Sequence, residues 1–503
     1  MASLKRPSRP SVVDEAGVLR TLDSGPRAFA VFGDGAEPVF LGLGPDPAAA
    51  VALAGGRAAA FVECPAFAAA LGPAWAAAVP NSWRRLDPHE LDPARPGDAR
   101  YYLYRQNTRL YPSFWGPIWA RVQLARLPRP EQAATSGGAL LIRSPAGLLE
   151  PELARALAAL GRPVTDIPAQ DCLNALALVL GRETPALAIS VNAAGLDDDG
   201  LAAELLMAAG VKLAVWFVDN PFHVLSRFRG RFWRQALLCV TDEAFVAPLT
   251  ALGAQRVMHL PLAAAAHFFK ARPAAGLAGR AVFVGSSAFP GRDRFFAGCR
   301  VPGDLAEKAR DMTAVGKRPD FFWWTEQLGI QAYWPGKAVR LAGCGAEAAG
   351  LAFRAATLAA LAGAVPLTVH GDAGWRDHLP ADVALAGPVD YAGALPGIYA
   401  GAGVSVNVTS LLLPRGLTQR HFDVWAAGGC LISDATPGLD LFPPQLFAPM
   451  RFQTPSDAGR LAATLLAQPE RRADLTAAWR EHILAGHGYQ HRVAALLARL
   501  AEH

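Results

Sequence analysis

Short apolar runs of five to eight residues recur between residues 139 and 435, each followed by a stretch of helical composition, and this alternation constrains the chain more than any other feature. The first series is ALLIR (139–143), PVTDI, PALAISVN (185–192), VKLAVWFV (211–218), ALLCVT (236–241) and RVMHL (256–260). After a break it restarts with AVFVGSS (281–287), VPLTVHGD (365–372), VALAGPVD, VSVNVTS (404–410) and CLISDA (430–435). Strands that read as near-continuous apolar segments are buried on both faces, as in a parallel sheet covered by helices. The pattern therefore predicts two consecutive Rossmann-like, doubly wound α/β domains. From Arg27 a shorter series (AFAVF, PVFLGLG, an Ala-rich helix from Pro47, AAAFVEC) predicts an additional N-terminal α/β domain. It ends near residue 135 in the Pro-, Ser- and Gly-containing linker LPRPEQAATSGG. The expected division is 1–135 for that domain, 138–275 and 276–472 for the two doubly wound halves, and 473–503 for closing helices that cross back to the first half.

A chain of 503 residues has room for several such domains, and 52% hydrophobic residues with a mean hydropathy of +0.19 exclude a disordered scaffold. A net charge of +5 spread over this length is a weak field, which argues against a dedicated nucleic-acid binder. The six cysteines (Cys64, Cys172, Cys239, Cys299, Cys344, Cys430) stand singly, without the C-x-x-C spacing of a zinc or redox site, and read as core residues in a reducing compartment. No apolar stretch approaches the ~20 residues of a membrane span and the N-terminus lacks a signal-like apolar core. The expectation is a cytoplasmic protein with no transmembrane segment.

The segment RGLTQRHFDVWAAGGCLIS (415–433) carries the most chemistry. It follows a strand, turns at Gly416, enters a helix and leaves it at Gly428-Gly429. A helix starting at Leu417 and Thr418 would offer free N–H groups and a positive dipole end to a diphosphate, with Arg415 and Arg420 to neutralise its charge. Asp423 would then accept hydrogen bonds from ribose hydroxyls; the bland alternative is an intrahelical pair with Arg420. Asp219 follows the apolar strand LAVWFV at its carboxyl end, where side chains project into a cleft. It is a candidate general base, with His223 as second choice. A turn cap at Asp219-Asn220-Pro221 and a surface His223 are the structural alternatives.

The R-x-F-[DE]-x-x-A-x-G pattern formed by Arg420, Phe422, Asp423, Ala426 and Gly428 resembles the donor-binding helix of GT-B glycosyltransferases, and is most similar to the spore-maturation CgeB-like family. The resemblance spans roughly residues 138–500 by motif order. It includes WFVDNPF (216–222), FVGSS (283–287), HGDAGW (370–375) and HGYQHRVAALL (487–497). It implies transfer of a hexosyl or related group from a nucleotide sugar, bound as substrate by the second half, to a protein or glycan acceptor against the first, with no cofactor and no bound metal. The departing nucleoside diphosphate then needs positive charge and N–H dipoles from the protein. Gly285 and Ser286 join Arg415, Gly416, Thr418 and Arg420 for that task, and by analogy with the family's G-x-x-W turn His370, Gly371 and Asp372 form the base-recognition corner. Related retaining enzymes carry an acid eight residues before the ribose-binding acid; here that position is Arg415, so the resemblance does not extend to a retaining outcome.

Three other signals compete. Asp197-Asp198-Asp199 contains a D-x-D but precedes an apolar helix, where carboxylates cap. The run SRFRGRFWRQ (226–235) places Arg227, Arg229, Arg231 and Arg234 among aromatics and could make a weak peripheral contact with an anionic acceptor, a membrane surface or nucleic acid, the structural alternative being a solvated loop with buried aromatics. In the first domain Gly42 and Gly44 after a strand, with Glu63 about 20 residues on, have dinucleotide or S-adenosylmethionine spacing but lack the third glycine. Recognition of an acceptor or partner is the better reading of that domain. Rival functions are a catalytically silent nucleotide-sugar or glycan-binding scaffold, a nucleotide-sugar epimerase on the same fold, and a methyltransferase working through Gly42, Gly44 and Glu63.

Overall fold

The computed structural model describes residues 9–91, 99–128, 135–145 and 147–502. Half of the expected linker, residues 129–134, lies outside them. Three sheets of five or six strands follow one another along the chain, besides a small hairpin at Ser11–Val13 and Leu19–Thr21.

The first sheet contains β1 (Phe29–Phe32), β2 (Glu37–Leu41), β3 (Ala60–Val62), β4 (Arg84–Arg85) and β5 (Ala99–Tyr104) in the order β1-β5-β2-β3-β4. The aromatic strand β5 sits between β1 and β2, antiparallel to the first and parallel to the second. Phe40 stacks between Trp83 and Tyr102 in its core.

The second sheet holds β6 (Thr135–Arg143), β7 (Val164–Pro168), β8 (Thr184–Val191), β9 (Lys212–Phe217), β10 (Leu237–Val240) and β11 (Arg256–His259). All pairings are parallel, in the order β11-β10-β9-β8-β6-β7. The third sheet holds β12 (Ala281–Val284), β13 (Leu367–His370), β14 (Ala384–Ala386), β15 (Val404–Asn407), β16 (Leu431–Asp434) and β17 (Arg451–Phe452). It too is parallel, ordered β14-β13-β12-β15-β16-β17, so the direction of winding reverses between β12 and β15. In such sheets ligands settle outside the carboxyl ends of the strands at that reversal.

Seven helices place the site: α1 (Pro112–Arg126), α2 (Glu150–Ala159), α3 (Leu201–Ala208), α4 (Pro221–Leu225), α5 (Ala338–Ala362), α6 (Arg420–Ala426) and α7 (Tyr489–Ala501). α1 lies on α3 and joins the first domain to the second. α5 has the length and apolar content of a membrane span, but half of its apolar window is buried inside the molecule. Val339, Ala342 and Ala346 pack with Phe222 and Phe245 of the second domain, while Phe353, Leu358 and Leu361 join the core of the third. α7 returns to the second domain, lying on α2, with Lys212 Nζ donating to Leu500 O at 2.7 Å and Arg256 donating to Arg499 O at 2.8 Å.

Burial of carboxyls gives the fold a pH signature. Glu204 on α3 sits under α1, where a Cβ on Gly116 would stand 2.9 Å from its Cγ, and desolvation pushes its carboxyl up to about 7. The folded chain thus holds a proton that the unfolded chain releases at about pH 4.3. Glu204 therefore contributes stability that is full at low pH and is lost as pH rises through about 7. Glu204→Gln is expected to flatten the decline of the denaturation midpoint between about pH 5 and 8, an effect on the order of 1–3 kcal/mol. Equal slopes for the two proteins would refute this assignment.

Candidate active site between the two doubly wound halves

A cleft of about 710 Å³ opens at the carboxyl ends of strands from both parallel sheets. Asn192 and Asp219 follow β8 and β9 on one side; Ser286 and Ser410 follow β12 and β15 on the other. Of the residues singled out from the sequence, Asp219, His223, Ser286 and Arg227 line it. The wall also carries Asn192 and three α5 residues seven apart, Arg340, Glu347 and Arg354, which the sequence reading did not single out.

Asp219 faces the cleft and is held from behind. Asn192 Nδ2 donates to Asp219 Oδ2 at 2.7 Å, and Asn192 Oδ1 accepts the N–H groups of Val218 and Asp219 at 2.9 and 3.3 Å. Asn192 and Ala193 have φ of +49° and +55°, a left-handed conformation that costs energy for non-glycine residues and recurs at functional sites. The cleft walls desolvate the Asp219 carboxyl and raise its pKa against the lowering effect of the Asn192 amide. The next residue, Asn220, caps α4 through Phe222 N–H at 3.0 Å, so the cap belongs to Asn220 and not to Asp219.

His223 is in the wall rather than on the surface. It is buried against Phe295, Phe296 and Phe321, with Nε2 3.3 Å from Val339 O, and burial pushes its pKa down to about 4. The imidazole is neutral at pH 7, and a Cβ on Gly343 would collide with it.

On the opposite wall the Gly285 turn is interlocked with the HGDAGW turn. Gly285 N–H donates to His370 O at 2.9 Å, Trp375 Nε1 donates to Gly285 O at 2.8 Å, and Asp372 accepts Ser287 N–H and Oγ–H at 2.8 and 2.6 Å. Gly371 is required by this contact, since a Cβ there would stand 2.5 Å from Gly285 O. Asp372 is thus a turn clamp, and the Ser287 and Gly374 bonds hold its carboxyl below the usual range. Among the described residues of the turn, Ser286 is exposed to the cleft with no backbone partner for its N–H. Arg354 donates to Ser286 O and Ser287 O at 3.1 and 3.4 Å and to Glu347 at 3.2 Å.

The 415–428 segment differs from expectation in three respects. α6 starts at Arg420, two to three residues later than expected, because Thr418 N–H is taken by His421 Nδ1 at 3.0 Å and its hydroxyl by Asn407 Oδ1 at 2.7 Å. The Thr418 N–H expected to face a diphosphate is therefore engaged within the chain. Arg420 bridges the winding reversal, donating from Nε to Val284 O at 2.8 Å and from Nη1 to Asn407 Oδ1 at 2.7 Å, with Nη2 directed at Gly285, where a Cβ would lie 2.7 Å away. Arg420 therefore underlies the Gly285 turn instead of pairing with Asp423.

Arg415 lies apart from the cleft. It pairs with Asp440 and Glu243 in a separate hollow of about 330 Å³, and its N–H donates to Asp242 at 2.9 Å. Gly416 supplies its carbonyl to Thr436 Oγ1 at 3.1 Å, and Gly428, with φ +79°, ends α6. Asp423 is buried: its oxygens accept Ala265 N–H at 3.1 Å and Tyr391 O–H at 2.7 Å, and desolvation pushes its carboxyl up to about 7. In this conformation it ties α6 to the strand-to-strand connection between the two halves.

The competing signals resolve into structure. Asp197 caps α3 through Leu201 and Ala202 N–H at 3.1 and 2.8 Å, Asp198 pairs with Arg227 and Arg229, and Asp199 with Arg229. Arg231 pairs with Glu15 at 3.1 Å and Arg234 lies over Trp233, so the arginine run is engaged within the chain rather than presented as a basic patch. Glu63 accepts Leu43 and Cys64 N–H, both at 2.8 Å; Gly42 abuts Asn107 and Gly44 abuts Tyr104. The space a methyltransferase cofactor would need beside Gly42 and Gly44 is filled by side chains.

Two parallel, doubly wound halves facing across a cleft, with a C-terminal helix returning to the first, define a GT-B arrangement with an N-terminal α/β domain added. Residues 352–498 match the family described as glycosyl transferase-like. No curated protein matches the chain in sequence. Among solved structures the chain is similar to Anabaena HepE in complex with UDP (11% identity, 72% of this chain and 99% of that one, TM-score 0.41). It is also similar to a glycosyltransferase of Rickettsia africae (8%, 73% and 99%, 0.44) and to T4 phage BGT in complex with UDP-glucose (10%, 72% and 96%, 0.38).

Proposed function

We propose that the protein is a glycosyltransferase of the metal-independent GT-B kind, on the CgeB-like branch, moving a sugar from a nucleotide-activated donor to a protein or glycan acceptor. The observation that carries this is the cleft: a carboxylate from the first half faces a serine turn backed by two guanidinium groups from the second, and residues 352–498 match a glycosyl transferase-like family. Asp219 takes the proton of the acceptor hydroxyl, and the desolvation that raises its pKa makes it a stronger base. His223, neutral and packed against Phe295, Phe296 and Phe321, shapes the wall.

The departing diphosphate is received at Gly285 and Ser286, with Arg420 beneath the turn and Arg354 beside it supplying positive charge. The turn clamped by His370, Gly371 and Asp372 borders the base. Asp423 meets the ribose once Tyr391 yields its hydrogen bond, while Thr418, Gly416, Gly428 and Arg415 hold the segment that carries it. The nucleotide sugar is a substrate, and no cofactor enters this scheme. The free, mostly buried cysteines suit a reducing, cytoplasmic setting.

Binding of a nucleoside diphosphate or nucleotide sugar stabilises the folded protein by mass action. A base-selective rise in melting temperature is expected, reduced at least tenfold in apparent affinity by Arg354→Ala. Incubation with the donor so identified should release the nucleoside diphosphate. Binding without release or transfer would identify the scaffold reading instead, and a product of unchanged mass the epimerase.

A further inference from the structure

Arg340 is the cleft guanidinium without an anion to match it. Its Nε donates to Ser226 Oγ at 3.1 Å, and its fork lies 4.8 Å over the Phe295 ring. These two contacts fix the plane of the fork and leave its terminal nitrogens without an ion-pair partner among the described residues. The acids of the cleft wall are engaged elsewhere: Asp219 by Asn192, and Glu347 by Arg354. Arg227, the other arginine on the first half's side, donates to Asp198 and to Ala193 O. His223 adds no charge, being neutral at pH 7.

The position separates Arg340 from the turn that receives the diphosphate. Arg340 and Arg354 are fourteen residues apart on α5, roughly 21 Å along the axis. Arg354 touches the Ser286 turn, whereas Arg340 touches Ser226, at the end of α4 in the first half. Phe289, 36% exposed, lies in the same end of the cleft and packs on Phe295 and Phe296. A half-buried, oriented arginine fork beside an open aromatic face is suited to a ring carrying a carboxylate or phosphate, which the fork can bind through two parallel hydrogen bonds.

We propose that the α4 end of the cleft is a subsite for an anionic group on the acceptor, a carboxylate or a phosphate on a sugar ring, held by Arg340 and flanked by Phe289 and Phe295. This rests on the glycosyltransferase reading and sharpens it: the acceptor is an acidic or phosphorylated glycan unit rather than a neutral one.

The test uses the full-length protein saturated with the nucleoside diphosphate found above, and ligand-observed NMR with three probes: glucuronate, glucose 6-phosphate and glucose. At least one anionic probe is expected to bind tenfold or more tightly than glucose, and which one distinguishes carboxylate from phosphate. Arg340→Gln should erase that preference, while Arg340→Lys, which keeps the charge without the fork, should retain part of it. The nucleotide-induced melting shift of each variant serves as the check of folding. Equal binding of all three probes, or an undiminished preference in both variants, overturns the subsite. Absence of any nucleotide-dependent shift in the wild type strikes the glycosyltransferase reading instead.

Discussion

Asp219→Asn is expected to reduce turnover in sugar transfer by about 10²- to 10⁴-fold, the usual contribution of a positioned general base. The change is isosteric, and the retained side-chain oxygen can still accept the Asn192 amide at the 2.7 Å position, so folding and donor binding should stay close to wild type. The wild-type rate should rise with pH as the carboxylate ionises, with its acid limb displaced upward from the ordinary aspartate range by desolvation. The variant should lose that limb. A turnover within threefold of wild type, with donor binding intact, would remove Asp219 from the chemistry and direct attention to the acceptor's own ionisation.

The second large effect is structural. Asp434, 1% exposed at the end of β16, pairs with Arg318, accepts Thr409 N–H at 2.7 Å and lies 3.4 Å from Asn407 Nδ2. Asn407 in turn accepts from Thr418 and Arg420. Asp434→Ala leaves a buried guanidinium unpaired and an amide unsatisfied, a change that costs about 3–5 kcal/mol. The loss should appear as a lower denaturation midpoint and, because Arg420 relies on Asn407 for its orientation, as weaker nucleotide binding in the protein that remains folded. A midpoint shift below about 1 kcal/mol would mean that water replaces the carboxylate and that the network is not a unit.

The doubly wound halves are readable in the sequence because strands such as β9 and β12 are apolar on both faces, and such runs survive even the Ala-rich background of this chain. β5 escapes because its Tyr and Arg residues do not form an apolar run; they become a central strand only through pairing with two others. Asp219 is legible from its place directly after a buried strand. Arg340, Glu347 and Arg354 are not, although their spacing of seven along one helix is a signal in the sequence: it puts three charges on one face of an otherwise Ala-rich segment. Nothing in composition foretells the positive φ of Asn192 or the turning of Arg420 toward Gly285, since both depend on which strands lie side by side.

α5 spans ~37 Å by the rise of its 25 residues, and its two ends belong to different cores. A rod embedded at both ends behaves as a strut. Wide rocking of the halves about their connection would have to pull Val339 and Ala342 away from Phe222, or Leu358 and Leu361 away from the core of the third sheet, exposing apolar surface in either case. The mechanical consequence is that α5 resists wide opening of the cleft, because neither end can leave its apolar cluster without exposing that surface to water.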